Sequence, residues 1–399
     1  MMAPGQNRQK YISMAGWILL TLTALHLLAV IIATSTTGSY SPRTSYIGVV
    51  LLGPKIPFFA MVSVLLGIGQ AVAYYLLLRA YRNRIFYAGI LNGITIVLIS
   101  IFNMSYSLVY YLSLYSNFAF LGILILGLAY FRLIRSQFRY FGTAMGLILM
   151  VLLALIVAGS TGLLGSGGTE NLEVYLIHFW GIAYGAYLIG DALGNGSAYR
   201  RENSIIAHYT GWAGILLLSM TMIFVGALIS ASSLYPNYSP RYQYIDALGL
   251  GATAHIYNPG LFLFGIGIIG AFYLLLRVYR SWFFTIWGIF GGTSAVFLSI
   301  FNKTFGGINT FWVLTTLIAM TVAAIYAYRI LKPRFNLVIL VLGLTMLVAL
   351  ISIMTGNDLG LGGGGIERMV LYPLFIWVAA FGAYLIGNGG KRIDAHGGD

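Results

Sequence analysis

No cysteine occurs among the 399 residues. That excludes disulfides, thiolate metal sites and cysteine nucleophiles. Charge is almost as scarce. Only 8% of residues are charged, where soluble domains carry about 25%. Acidic residues are the rarer sign, nine against 22 basic ones, which leaves a net charge of +13. With 59% hydrophobic residues the chain cannot present a polar surface to water on all sides, so its composition is that of an integral membrane protein whose first partner is the lipid bilayer. The opening MMAPGQNRQK runs into a full-length apolar segment without an A-x-A pattern, so no cleaved signal is expected.

What fills the chain is a series of long apolar runs. A spanning helix needs about 20 mostly apolar residues. Twelve segments qualify, near 12–34, 56–79, 85–108, 117–134, 140–160, 172–192, 208–232, 257–279, 283–301, 308–330, 335–354 and 368–388. The shortest is 117–134. The expected fold is an all-α polytopic membrane protein of about 12 transmembrane helices, with both termini on one side.

The basic residues choose that side. Seventeen of them lie in the termini and in the loops on the terminus side, with four acids, for a net +13; the opposite loops hold five of each sign and are neutral. The whole net charge is therefore topological. It places both termini in the cytoplasm of a cell-membrane protein and removes the need for a nucleic-acid partner.

The chain also repeats itself. YLLLRAYR at 75–82 returns as YLLLRVYR at 273–280, and ISIFN at 99–103 as LSIFN at 298–302. The segment 167–190 aligns without gaps to 364–387, with twelve identities in 24. An offset near 197–199 throughout divides the chain into residues 1–200 and 201–399, each with six helices. An even number per half makes the repeats parallel rather than inverted. A short polar linker near 193–207 joins them. In each half the first outer loop is long and the last is Gly-rich, at 161–170 and 355–365, a composition that suits tight turns.

The most conspicuous outer stretch is 238–265, YSPRYQYIDALGLGATAHIYNPGLFLFG, with a fainter copy at 40–67. It and the later GGGIERMVLYPLFIWVAAFGAYLIG resemble the membrane family catalogued as domain of unknown function 998. The second half matches that pattern at Asp246, Leu248, Gly249, Gly251, Asn258, Gly260, Glu367 and Arg368; the first keeps Gly53, Gly67 and Glu170 but has Gly48 and Ala60 opposite Asp246 and Asn258. The resemblance implies a six-helix unit and no activity.

Within the loop, Asp246, His255, Tyr257 and Asn258 could form a polar mouth for a small ligand, an ion or a lipid headgroup. Alternatively, Asp246 and Asn258 serve loop backbone groups and cap the eighth helix. Glu170 and Glu367, with Arg368, open the last helix of each half, where a carboxylate is favoured by the exposed amides, or where a duplicated carboxylate could bind a proton or cation. His26 and His178 lie six or seven residues inside their helices, about 10 Å deep. They are weak candidates for a haem or metal, opposed in the second half by Thr221 or Phe224 and by Phe375. The alternative role is hydrogen bonding within the bundle, and no cofactor is expected. Sequons occur at Asn103, Asn195, Asn237 and Asn302.

Charges at mid-membrane would mark a transport path, and the segments show essentially none. The polar residues at depth are Asn92, Ser100, Asn103, Ser294 and Ser299. No metal-ligand cluster, nucleophile–base pair or phosphate loop favours an enzyme. The function expected is a non-enzymatic small-molecule or lipid binding or transport-type protein with an outward-facing polar mouth, its one site formed mainly by the second half. The alternative is a cofactor-free accessory subunit of a larger membrane complex.

Overall fold

A computed structural model describes residues 4–48, 56–102, 107–134, 136–194, 204–331 and 334–388. The described residues form twelve α-helices and no strand: α1 (Pro4–Thr36), α2 (Ile56–Tyr81), α3 (Phe86–Ile101), α4 (Ser107–Tyr130), α5 (Ser136–Val157), α6 (Gly165–Gly194), α7 (Ser204–Leu234), α8 (Ala254–Tyr279), α9 (Trp282–Ile300), α10 (Gly307–Ile330), α11 (Phe335–Thr355) and α12 (Gly363–Asn388). Eleven are long and apolar enough to cross a membrane. The chain is a multi-pass all-α membrane protein. Of the linker near 193–207, residues 195–203 with the sequon at Asn195 lie outside the described residues, as do the sequon at Asn103 and Gly53; its two ends belong to α6 and α7.

The short helix is α3, not the fourth. Its 16 residues reach about 24 Å, short of the roughly 30 Å of a hydrocarbon core. The fourth begins at Ser107 and runs 24 residues. The tyrosines and serines of SLVYYLSLYSN lower the hydropathy there without breaking the helix, which is why the sequence puts that start ten residues late.

Helices adjacent in sequence pack side by side, and the sixth of each half closes back on the first. α1 to α6 thus form one ring and α7 to α12 another. The rings meet chiefly along α6 and α12, with α1 and α7 completing the contact. Of the most apolar stretch, 89% is buried in both α6 and α12 against 28% in α5, so these two helices are the axis of the molecule. Small residues make the closeness possible. A Cβ on Gly16 of α1 would stand 2.8 Å from the Gly185 carbonyl oxygen of α6, and one on Gly214 of α7 would stand 2.5 Å from that of Gly382 on α12. Between the rings, a Cβ on Gly190 would meet the Tyr384 carbonyl oxygen and one on Gly387 that of Tyr187.

The Gly-rich segments do turn tightly, with positive φ at Gly162, Gly356, Gly360 and Gly362, but their last residues already form the first turns of α6 and α12. These helices begin seven and five residues before their apolar runs. The glycines are needed because the long outer loop of the same half lies directly on them. A Cβ on Gly167 would come within 2.8 Å of the Ser45 amide, and one on Gly364 within 2.6 Å of the Pro240 carbonyl oxygen. The earlier starts also deepen the histidines. His26 is ten residues from the end of α1 and His178 thirteen from the start of α6, about 15 and 20 Å along their helices.

Candidate functional site

The outer loop of each half is pinned by its own last helix, through the same set of contacts. In the first half the Ile47 amide donates to Glu170 Oε2 at 2.9 Å; in the second the Ile245 amide donates to Glu367 Oε2 at 2.5 Å. One residue further along, Asn171 Nδ2 donates to the carbonyls of Pro42 (3.0 Å), Ser45 (3.4 Å) and Gly167 (2.7 Å), while its Oδ1 accepts from the Tyr40 hydroxyl at 2.5 Å. At the equivalent position Arg368 Nη1 donates to Pro240 (2.8 Å), Gln243 (3.3 Å) and Gly364 (2.8 Å), and Nη2 to the Tyr238 hydroxyl at 2.5 Å. Burial pushes the Tyr238 hydroxyl up to about 12, with the Arg368 charge opposing, and holds Tyr40 well above its ordinary range. Both phenols are therefore neutral partners at ordinary pH. Glu170 and Glu367 do not cap their own helices. They accept from the loop across the gap, and that holds the loop over the ring.

Beneath each pinned loop lies a cavity inside the ring. The two cavities are lined from equivalent positions, yet they differ in size and chemistry. The first is about 90 Å³ and the second about 30 Å³. Where the first has His26, Ser63, Leu66, Asn117 and His178, the second has Phe224, Leu261, Phe264, Thr316 and Phe375. Phe224 stacks on Phe264 and both meet Phe375 edge-on, with centroids 5.4–5.8 Å apart, and the three rings fill the space. The residue opposite His26 is thus Phe224 rather than Thr221.

The first cavity keeps polar groups at its wall. His26 Nδ1 and His178 Nε2 are 2.6 Å apart, His26 Nε2 and Ser63 Oγ 2.8 Å, and His178 Nδ1 and the Val174 carbonyl oxygen 2.6 Å. The two rings stack at 4.9 Å. Two metal–nitrogen bonds of about 2.0–2.1 Å hold their nitrogens well over 3 Å apart in any tetrahedral or wider arrangement, so an ion does not fit between these two. Gln70 Oε1 and Thr23 Oγ1 line the same cavity, are buried, and have no hydrogen-bond partner among the described residues. Asn117 joins the wall from α4 and ties that helix to α3, donating to the Asn92 carbonyl at 3.3 Å and receiving from Asn92 Nδ2 at 2.9 Å.

The grouped residues of the second outer loop separate. Asp246 and Tyr257 line the second cavity with Glu367, and Asp246 also meets Lys303 at 3.4 Å. Arg368 turns to a small cavity of about 20 Å³ between the halves, opposite Asn171. His255 is exposed on the first turn of α8. Asn258 donates to the Gly249 carbonyl at 3.3 Å. It does not cap α8, which starts four residues earlier. In the first half Gly48 stands where Asp246 does, and a Cβ there would run into the Tyr110 hydroxyl.

Sequence reasoning passed over Asn171, Gln70 and Asn117. It also counted Glu173 as a loop acid, whereas Glu173 is fully buried in α6 with neither carboxylate oxygen partnered among the described residues. The repeat offset would have found Asn171, since it aligns with Arg368 as Tyr40 does with Tyr238. Ser100, Ser294 and Ser299, by contrast, bond to carbonyls of their own helices.

Comparison with protein families, with curated proteins and with solved structures finds no match for this chain.

Proposed function

We propose that the protein is a non-enzymatic membrane protein of binding or transport type, built from two copies of a six-helix unit, whose ligand is a small hydrogen-bond-donating molecule held inside the first ring. The termini lie in the cytoplasm of a cell-membrane protein, in keeping with the one-sided basic charge. The cavity then approaches the outer surface under the pinned loop. The observation that carries the proposal is the difference between two equivalent cavities. One is filled with aromatic rings; the other is larger and presents the unpaired acceptor Gln70 Oε1 and the unpaired Thr23 hydroxyl. An unpaired buried polar atom costs about 1–3 kcal/mol, and a donor in the cavity removes that cost.

The test uses purified protein in nanodiscs and a panel of methylammonium, glycerol, urea and lactate. Thermal unfolding is followed for the wild type and for S63L/L66F, which copies Leu261 and Phe264 of the second cavity. At least one solute is expected to raise the wild-type midpoint and to leave the variant unchanged. No shift with any solute, or an equal shift in the filled variant, would count against the proposal.

A further inference from the structure

We propose that His26 and His178 form a site for one proton, shared between the two rings. The argument is a count of hydrogens. Four contacts run in a line: Ser63 Oγ to the Phe59 carbonyl at 3.0 Å, Ser63 Oγ to His26 Nε2, His26 Nδ1 to His178 Nε2, and His178 Nδ1 to the Val174 carbonyl. Each contact needs one hydrogen. The two end acceptors are carbonyls, which supply none, while a serine and two neutral imidazoles supply three. One contact is therefore left without a hydrogen when both rings are neutral. A single added proton completes all four. Serine then donates to Phe59, His26 Nε2 donates to Ser63, and His178 donates through both nitrogens to His26 and Val174. A second added proton would set an N–H against an N–H across 2.6 Å. The line holds one proton more than neutral, and no more.

Among the described residues, the rings of His26 and His178 make no hydrogen bond beyond this line. Of the groups facing the pair, α2 presents Gln70 besides Ser63, α4 presents Tyr110 and Asn117, and α6 presents Glu170. α3 presents no titratable group to the cavity. On the same helix Glu170 is eight residues from His178, about 12 Å along it, and the buried Glu173 is five residues away, about 7.5 Å along it, and is not among the residues that line this cavity. Removal from water opposes a buried cation, so the charge is held by hydrogen bonds along the line and by delocalisation over two rings. The second ring has no such site, because Phe224, Leu261 and Phe375 occupy the corresponding positions. The proton count needs no ligand in the cavity and so stands apart from the small-molecule proposal.

The experiment is a ¹⁵N-histidine titration of the full chain in nanodiscs from pH 4 to 8, with proton uptake measured in parallel. The chain has five histidines, and H26F, H178F and H26F/H178F assign the signals; the double variant copies Phe224 and Phe375. In the wild type the two rings are expected to shift together in one step, and the wild type to take up one proton more than the double variant. Two separate steps with two protons would overturn the proposal. So would two rings that stay neutral down to pH 4, or a His178 titration unchanged by H26F. The wild-type titration decides the matter alone if a variant fails to fold.

Discussion

Arg368 offers the most direct test of how the outer loop is held. Its guanidinium is 5% exposed and serves the carbonyls of Pro240 and Gln243 in the loop, the Gly364 carbonyl in its own helix, and the Tyr238 hydroxyl. Arg368→Ala removes every one of those donors. Gly364 keeps its helical partner, so the loss falls on the two loop carbonyls and on the buried Tyr238 hydroxyl. Each buried acceptor left alone costs about 1–3 kcal/mol, and hydrogen bonds to a charged group contribute about 1.5–3 kcal/mol. Recovering the desolvation of the cation offsets part of this. The net loss is about 3 kcal/mol. Arg368→Asn copies the first half, where Asn171 reaches the same three carbonyls from the same helical position, and is expected to lose about 1 kcal/mol. Because burial pushes the Tyr238 hydroxyl up to about 12, that partner stays neutral at ordinary pH. The assay is SDS-driven unfolding in mixed micelles, with the free energy compared among wild type, R368A and R368N. If R368A falls within about 0.5 kcal/mol of the wild type, or R368N is no better than R368A, the loop is held by something else.

Two further expectations follow from the same contacts. Gly190→Ala sets a methyl against the Tyr384 carbonyl oxygen, and Gly387→Ala one against that of Tyr187. Since backbone cannot yield as a side chain does, each is expected to cost about 1–3 kcal/mol, towards the upper end, in the same unfolding assay, whereas Gly226→Ala, whose Cβ has nothing within 4 Å, is expected to cost nothing or to stabilise. Glu170→Ala leaves the Ile47 amide unpaired and is expected to lose about 1–3 kcal/mol, while Glu170→Gln keeps an acceptor and loses under about 1 kcal/mol; equal losses would show that the carboxylate does not pin the loop.

Helix number and type were legible because apolar runs of spanning length leave little choice in lipid. Boundaries failed where composition and packing disagree. GSGGTE reads as a turn, yet it is helical, and Gly167 is glycine there because the loop at Thr44 and Ser45 leaves no room for a side chain. That shift of seven residues is what turned Glu173 from a surface acid into a buried one. The pinning contacts were visible only as aligned letters. Asn171 opposite Arg368 looks like a mismatch in sequence and is a match in space, since both side chains donate to the same carbonyls. The cavities were not legible at all. Whether Ser63 or Leu261 faces a ring interior depends on how six helices close, and periodicity within one helix does not carry that information.

The two halves hold their loops alike but spend their interiors differently. In the second ring, three phenylalanines meet at 5.4–5.8 Å, each aromatic pair contributing about 0.5–1.5 kcal/mol beyond its burial. The first ring forgoes that packing at the same positions. It carries instead a histidine pair one hydrogen short, the unpaired Gln70 Oε1 and Thr23 Oγ1, and, in the same half, a buried Glu173 without a partner among the described residues. At the two cavities both terms run in one direction, so the first cavity is the less stable of the pair on these magnitudes, while elsewhere both halves hold unpaired buried polar atoms. Filling it needs only residues the chain already uses in its other half. Polar groups held within a membrane bundle at such a cost mark sites of function, and the comparison between two rings of one chain supplies the reference state against which that cost is measured.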